Sequence, residues 1–259
     1  MAGQNLNYAR DLLTMKAFRC KNRGYMKIVW FLCFIFSQLS AQVSAQDDLF
    51  PAKNSIFISL GNNCWIAQAL VGAELRECAF PFDWLFSQDD EGLNRALDED
   101  FAYFTDKDCF SSDDYHPIAV RNNHYGMIFT HDWRFPDIEM TEERYNQYLS
   151  AIKVKYDRRI ERFRKLQEYK GKVFFFRTFS THPEIVGEYG WNTTKARKLK
   201  ESLDHYFPNL DFTLVILSCS DPDIPEVDKI EGVIEFKIKE LYNQKKYLEM
   251  FSQLINSSL

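Results

Sequence analysis

The feature that most constrains this chain is a set of short apolar runs, Ser55–Leu60 (SIFISL), Val173–Phe176 (VFFF) and Phe212–Leu217 (FTLVIL), separated by long helix-forming segments. Runs that stay apolar at nearly every position mark strands buried on both faces, as in parallel sheets. Parallel neighbours need crossover connections, and the intervening stretches supply them. A helix is expected from about Asn63 to Leu75, and Ser87 with Asp90 reads as a capping box opening another helix towards Asp98. Tyr125–Thr130 (YGMIFT) reads as a further strand. From Thr141, Tyr145, Tyr148, Leu149, Ile152, Tyr156, Ile160, Phe163 and Leu166 recur at three- and four-residue spacings, which predicts a long helix with one buried stripe, stopped by Gly171. A helix over Thr194–Phe207 ended by Pro208, a strand over Val233–Ile238 and a helix over Tyr247–Ile255 complete the pattern. The expected fold is α/β: a three-layer sandwich with a mostly parallel central sheet and helices on both faces. Ser111–Pro117 and Ser220–Pro225 are the best loop candidates.

The first 45 residues stand apart from this pattern. Met26-Lys27 precedes the apolar run Ile28–Phe36 (IVWFLCFIF), and small residues follow up to Val43-Ser44-Ala45. That succession is a secretory signal peptide starting at Met26 and cleaved after Ala45, leaving residues 46–259 as a single domain; the alternatives are an uncleaved membrane anchor or a misplaced start. The run is too short to span a bilayer. Loss of this segment's six basic residues and one acid takes the formal charge from −5 to −10. A nucleic-acid or anionic membrane partner is therefore not expected, since either needs a concentrated basic patch. The cluster Lys153–Lys165 (KVKYDRRIERFRK) is interleaved with acids and reads as the solvated face of a helix.

Cys64, Cys78, Cys109 and Cys219 lie beyond the cleavage point. In an oxidising compartment an even number invites pairing, and no spacing supports a metal site. No glycine-rich dinucleotide fingerprint or Walker loop occurs, so no cofactor is expected.

Ligands of open α/β sheets bind at the carboxyl ends of the strands. There the sequence puts Cys64 after the first strand, His131 and Asp132 after YGMIFT, Arg177 and His182 after VFFF, and Asp221 after FTLVIL. A cysteine at a helix start faces unpaired N–H groups and the positive end of the macrodipole, which favour the thiolate. The same N–H groups, helped by Asn62 or Asn63, can hold an oxyanion, and Gly61 permits the tight turn. The alternative for Cys64 is a core thiol or a disulfide partner.

SLGNNCWIAQAL (Ser59–Leu70), AFPFDWLFS (Ala79–Ser87) and HDW (His131–Trp133) together resemble a domain family described as papain-like cysteine peptidases, over about Ile56 to Phe176. The resemblance implies Cys64 as nucleophile and His131 as its base. The expected fold is not papain's antiparallel barrel, because a strand leads into the cysteine helix and the later strands read as parallel. Asp132 follows His131 directly and neighbours in an extended chain point apart, so Asp83 is the better orienting candidate. For each residue a plainer role competes: a structural histidine at His131, an exposed loop residue at His182, a capping aspartate at Asp83, and at Arg177 a buried ion pair in place of an anion site. Asn192-Thr193-Thr194 is a glycosylation acceptor pattern or a helix cap.

Two functions follow. One is an exported thiol hydrolase or acyltransferase acting on a peptide or small acyl substrate, with Cys64, His131 and Asp83 catalytic and Asn62, Asn63, Asp132, Arg177 and His182 lining the substrate. The other is a non-catalytic module binding a sugar or nucleotide derivative, with Arg177 and a helix N-terminus as the anion site.

Overall fold

A computed structural model describes residues 54–87, 90–112, 119–132, 141–178, 193–219, 229–238 and 244–257. The segment expected to direct export, residues 1–45, lies outside them, as do His182, Asn192 and Asp221. Four strands, β1 (Ser55–Ser59), β5 (Lys172–Thr178), β6 (Phe212–Cys219) and β7 (Val233–Ile238), form one sheet in the order β1-β5-β6-β7. Every neighbouring pair is parallel, with Ile56 opposite Val173, Phe176 opposite Val215 and Val215 opposite Ile234.

The alternation of side chains across these strands splits the interior into two cores. Ile56, Ile58, Leu60, Val173, Phe175, Leu214 and Ile216 face one core. It is closed by α2 (Asp90–Asp98), α3 (Glu142–Arg164) and α4 (Thr193–Tyr206) through residues such as Leu93, Ile160, Phe163 and Leu199. Phe57, Phe174, Phe176, Val215 and Leu217 face the other, closed by α1 (Trp65–Gly72) and α5 (Gln244–Ser257) through Ile66, Leu70, Tyr247 and Phe251. This is the expected three-layer α/β sandwich, and it explains why the strands are apolar throughout. Phe57 stacks on Phe174 at 5.2 Å, and on the opposite face Phe163 meets Phe207 edge-on at 5.1 Å. Each buried ring contributes about 1.5–3 kcal/mol.

Three local expectations change. Tyr125–Thr130 does not join the parallel sheet: only Met127–Ile128 is strand (β4), paired antiparallel with β3 (Val120–Asn122), which pairs with β2 (Phe110–Ser112). A turn with Gly126 at φ 64° reverses the chain just before β4, and Phe86 bridges to Ile128. Gly92 of α2 sits so close to this hairpin that an added Cβ would lie 1.8 Å from the Tyr125 carbonyl oxygen. Ser87 and Asp90 do not close a capping box on each other; both face Arg177. The basic cluster of α3 is not wholly solvated, because Arg159 is buried and three of its cations reach neighbouring loops. Among the described residues no helix is long and apolar enough to cross a membrane.

Candidate active site

Cys64 follows a turn built from two consecutive left-handed residues, Gly61 at φ 79° and Asn62 at φ 80°. Glycine adopts that conformation freely, and asparagine is among the few other residues that tolerate it. A Cβ on Gly61 would stand 3.0 Å from both the Phe82 carbonyl oxygen and Ser87 Oγ. The turn is laced to that second segment: Asn62 N donates to Ser87 Oγ at 3.0 Å, and Ser87 N donates to the Asn62 carbonyl at 3.2 Å. SLGNNC and PFDWLFS thus pack as one unit.

Asn62 and Asn63, expected to help an oxyanion, have other work. Asn62 is buried and its amide donates to the Thr178 carbonyl at the end of β5. The Asn63 amide donates to Thr178 Oγ1 at 3.4 Å, while its Oδ1 accepts from Trp65 N, the first amide of α1, at 3.0 Å. Both asparagines therefore fix the cysteine turn to the neighbouring strand.

Cys64 is a free thiol, half-buried at the start of α1. Burial pushes its pKa up, and its own backbone N–H, bonded towards the sulfur, only partly offsets this. The lowered pKa expected from a helix start is not what this site has, because desolvation outweighs the N–H groups.

The Asp83 carboxylate is buried. Its Oδ2 accepts from Arg76 Nε at 3.1 Å, Arg76 Nη2 at 2.8 Å and Phe80 N at 3.0 Å. Burial raises its pKa, with Arg76 opposing the rise. Arg76 also lies over the Trp84 ring at 5.6 Å, and that ring meets His131 edge-on at 5.4 Å. A chain of contacts therefore runs from Asp83 through Arg76 and Trp84 to His131, whose side chain is exposed.

Asp132, expected to contact substrate, is instead held by α3. Its side chain is 5% exposed; Oδ1 accepts from Lys155 Nζ and Oδ2 from Tyr156 OH at 2.8 Å. Burial and the Asp132 charge hold the Tyr156 phenol far above its ordinary range.

Arg177 resolves to the ion pair of its two alternatives. It is 0% exposed. Nε and Nη2 donate to Asp90 Oδ1 at 3.2 and 2.9 Å, Nη1 to the Leu60 carbonyl and Ser87 Oγ, both at 2.9 Å, and Nη2 to the Ser87 carbonyl at 2.6 Å. A guanidinium offers five N–H groups, and these contacts use the whole fork, so no substrate anion is bound there.

Sequence reasoning missed Arg76, Trp84, Lys155, Tyr156 and Ser87 as parts of this assembly. Trp84 was within reach, because it stands inside the second motif. Lys155, Arg159 and Arg162 also share an i, i+4, i+7 spacing that puts them on one side of a helix.

A model of the family described as "Putative papain-like cysteine peptidase (DUF1796)" matches residues 55–221. An uncharacterized protein of Acanthamoeba polyphaga mimivirus is 26% identical over 219 residues, covering 76% of this chain and 92% of the viral protein. No solved structure gives a significant match. With the matched span holding the Cys64 turn, the Asp83 segment, His131 and strands β1, β5 and β6, the chain belongs to the DUF1796 family, whose description is that of a putative papain-like cysteine peptidase.

Proposed function

We propose that the protein is a thiol hydrolase or acyltransferase in which Cys64 is the nucleophile and His131 the general base, acting on a peptide or small acyl substrate. The observation that carries this reading is the convergence of the three motifs: the Cys64 turn is bonded to the segment of Trp84, and Trp84 touches the ring of His131. Family membership adds the prior for a cysteine nucleophile.

Because burial favours the neutral thiol, proton transfer accompanies attack instead of preceding it. The Sγ–H proton passes to His131 as sulfur bonds to the acyl carbon. The oxygen of the tetrahedral intermediate then faces the positive, N-terminal end of α1, where Trp65 N is already taken by Asn63 and the field of the helix start carries the stabilisation. The imidazolium gives its proton to the leaving group as that bond breaks, leaving a thioester. Water attacks the thioester, with His131 taking the water's proton and returning it to Cys64 sulfur. Asp83 orients the imidazole through Arg76 and Trp84.

A p-nitrophenyl ester and a peptide aldehyde, followed by intact mass, test the reading. Wild type should carry an acyl or thiohemiacetal adduct on Cys64, Cys64→Ala none, and His131→Ala should acylate roughly a hundredfold or more slowly. Equal acylation of wild type and Cys64→Ala would refute it. The competing module for small anions loses its named cation with the burial of Arg177. Export is part of the proposal, supported by the Met26–Ala45 pattern; an intact mass of secreted protein that still includes residues 26–45 would remove it.

A further inference from the structure

The basic row on α3 has a use that its sequence concealed. Lys155 reaches Asp132, Arg159 Nη1 donates to the Asp83 carbonyl at 3.4 Å, and Arg162 donates to the Ala79 carbonyl. Tyr156, next to Lys155, donates to the second Asp132 oxygen. One rigid helix thus grips both the 79–83 turn, which leads into Trp84, and the turn that carries His131.

We infer that Asp132 is a positioning residue for His131, holding the exposed imidazole against Trp84 through its paired bonds to Lys155 and Tyr156. The inference rests on the reading of His131 as the base. Consecutive Cα atoms are about 3.8 Å apart, so fixing the Asp132 carboxylate at two points leaves His131 little freedom. The bonds are strong for their kind. The acceptor is ionised and its side chain is 5% exposed, while the Tyr156 donor is fully buried. On its other side the His131 ring meets Trp84, itself backed by Arg76. An exposed histidine on a turn would otherwise sample many rotamers, and a base must stay within reach of its proton.

The charged and titratable groups around this turn include Asp132, then Lys155, Tyr156 and Arg159 of α3, Arg76 behind Trp84, and Asp83, which pairs with Arg76 and whose charge also acts on Tyr156. Their signs give the test a readout that a purely structural anchor lacks. Removing the anion disfavours the imidazolium, whereas removing the cation that neutralises it favours the imidazolium.

The experiment is an NMR titration of the His131 ring in the full chain, with the pH profile of Cys64 alkylation by iodoacetamide measured in parallel. Asp132→Asn should lower the His131 midpoint by about one unit and Lys155→Met should raise it by a similar amount. Tyr156→Phe keeps the packed ring but drops one bond, and should reduce the ring-current shift that Trp84 imposes on His131. Midpoints unmoved in Asp132→Asn and Lys155→Met, or moved in the same direction, would overturn the inference. If Asp132→Asn fails to fold, opposite behaviour still has to appear between Lys155→Met, which raises the midpoint, and Tyr156→Phe, which weakens the ring contact; its absence refutes the idea. The hydrolase reading fails separately, through a Cys64 alkylation profile indifferent to His131→Ala, and the imidazole shifts would still decide the role of Asp132.

Discussion

Replacing Arg177 with Met tests whether the meeting of the first two motifs depends on one buried cation. The substitution keeps an unbranched apolar stem but removes every N–H. Asp90, 6% exposed, is left with Lys195 Nζ at 3.7 Å from its other oxygen, and the Leu60 and Ser87 carbonyls lose the Arg177 donors. Removing one partner of a buried pair costs about 3–5 kcal/mol. Each buried carbonyl left unsatisfied costs about 1–3 kcal/mol more. These costs overlap, so the expected loss is on the order of 5 kcal/mol, comparable with the whole stability of many domains. Adding Asp90→Leu removes the stranded charge, and the double variant should recover about 2–3 kcal/mol of that loss. Urea unfolding with unchanged m-value is the assay, run as a double-mutant cycle. Because Leu60 and Ser87 flank the cysteine turn, the single variant should also expose Cys64 to faster alkylation at high pH. A loss below about 1.5 kcal/mol for Arg177→Met, or no recovery in the double variant, would refute the account of Arg177 as the clamp between the motifs.

Gly61→Ala meets both a left-handed φ and two oxygens at 3.0 Å, and should cost at least about 1–2 kcal/mol in chemical denaturation while disturbing the Cys64 turn. Cys64, raised by burial, should alkylate more slowly at pH 7 than a model thiol of pKa about 8.5, and its rate should climb through pH 9; rapid labelling at pH 6 would contradict this. Glu99 is raised by desolvation, but bonds from His124 and Tyr125 outweigh that and hold it below the ordinary range. Its depressed folded pKa makes its contribution present above about pH 4.3 and lost as pH falls through the lower folded value, so the stability gap between wild type and Glu99→Gln should close on acidification. Phe163→Ala empties a site ringed by Phe82, Phe101, Tyr206 and Phe207, and should cost about 3–5 kcal/mol in the same unfolding assay.

The sandwich was legible because β1, β5 and β6 are apolar on both faces and α3 carries its stripe over six turns, signals that lie within one segment each. Tyr125–Thr130 misled because a six-residue apolar run looks alike in either kind of sheet. Its assignment turns on the antiparallel pairing with β3, Asn122 opposite Met127, across the Gly126 turn, to which Phe86 adds a bridge from 42 positions away. Arg177 posed the same difficulty: a cation ending a buried strand fits an anion site or an ion pair equally well until Asp90, 87 positions upstream, is found beside it. The helix start at Cys64 could be read locally, whereas the burial that reverses its expected pKa depends on the packing of segments distant in sequence. The α3 cations were read as solvated because charge interleaving shows which residues can reach water, not which loops lie within reach of a long side chain.

The family match ends at residue 221, before β7 and α5 begin. A fragment cut at that boundary would leave the outer edge of β6 without its parallel partner and leave Phe174, Phe176, Val215 and Leu217 covered by α1 alone, without Tyr247, Met250, Phe251 and Leu254 of α5. An unpaired strand beside a half-uncovered aromatic face is a template for self-association. The span from β1 to β6 is therefore not a folding unit in this chain without α5 and β7.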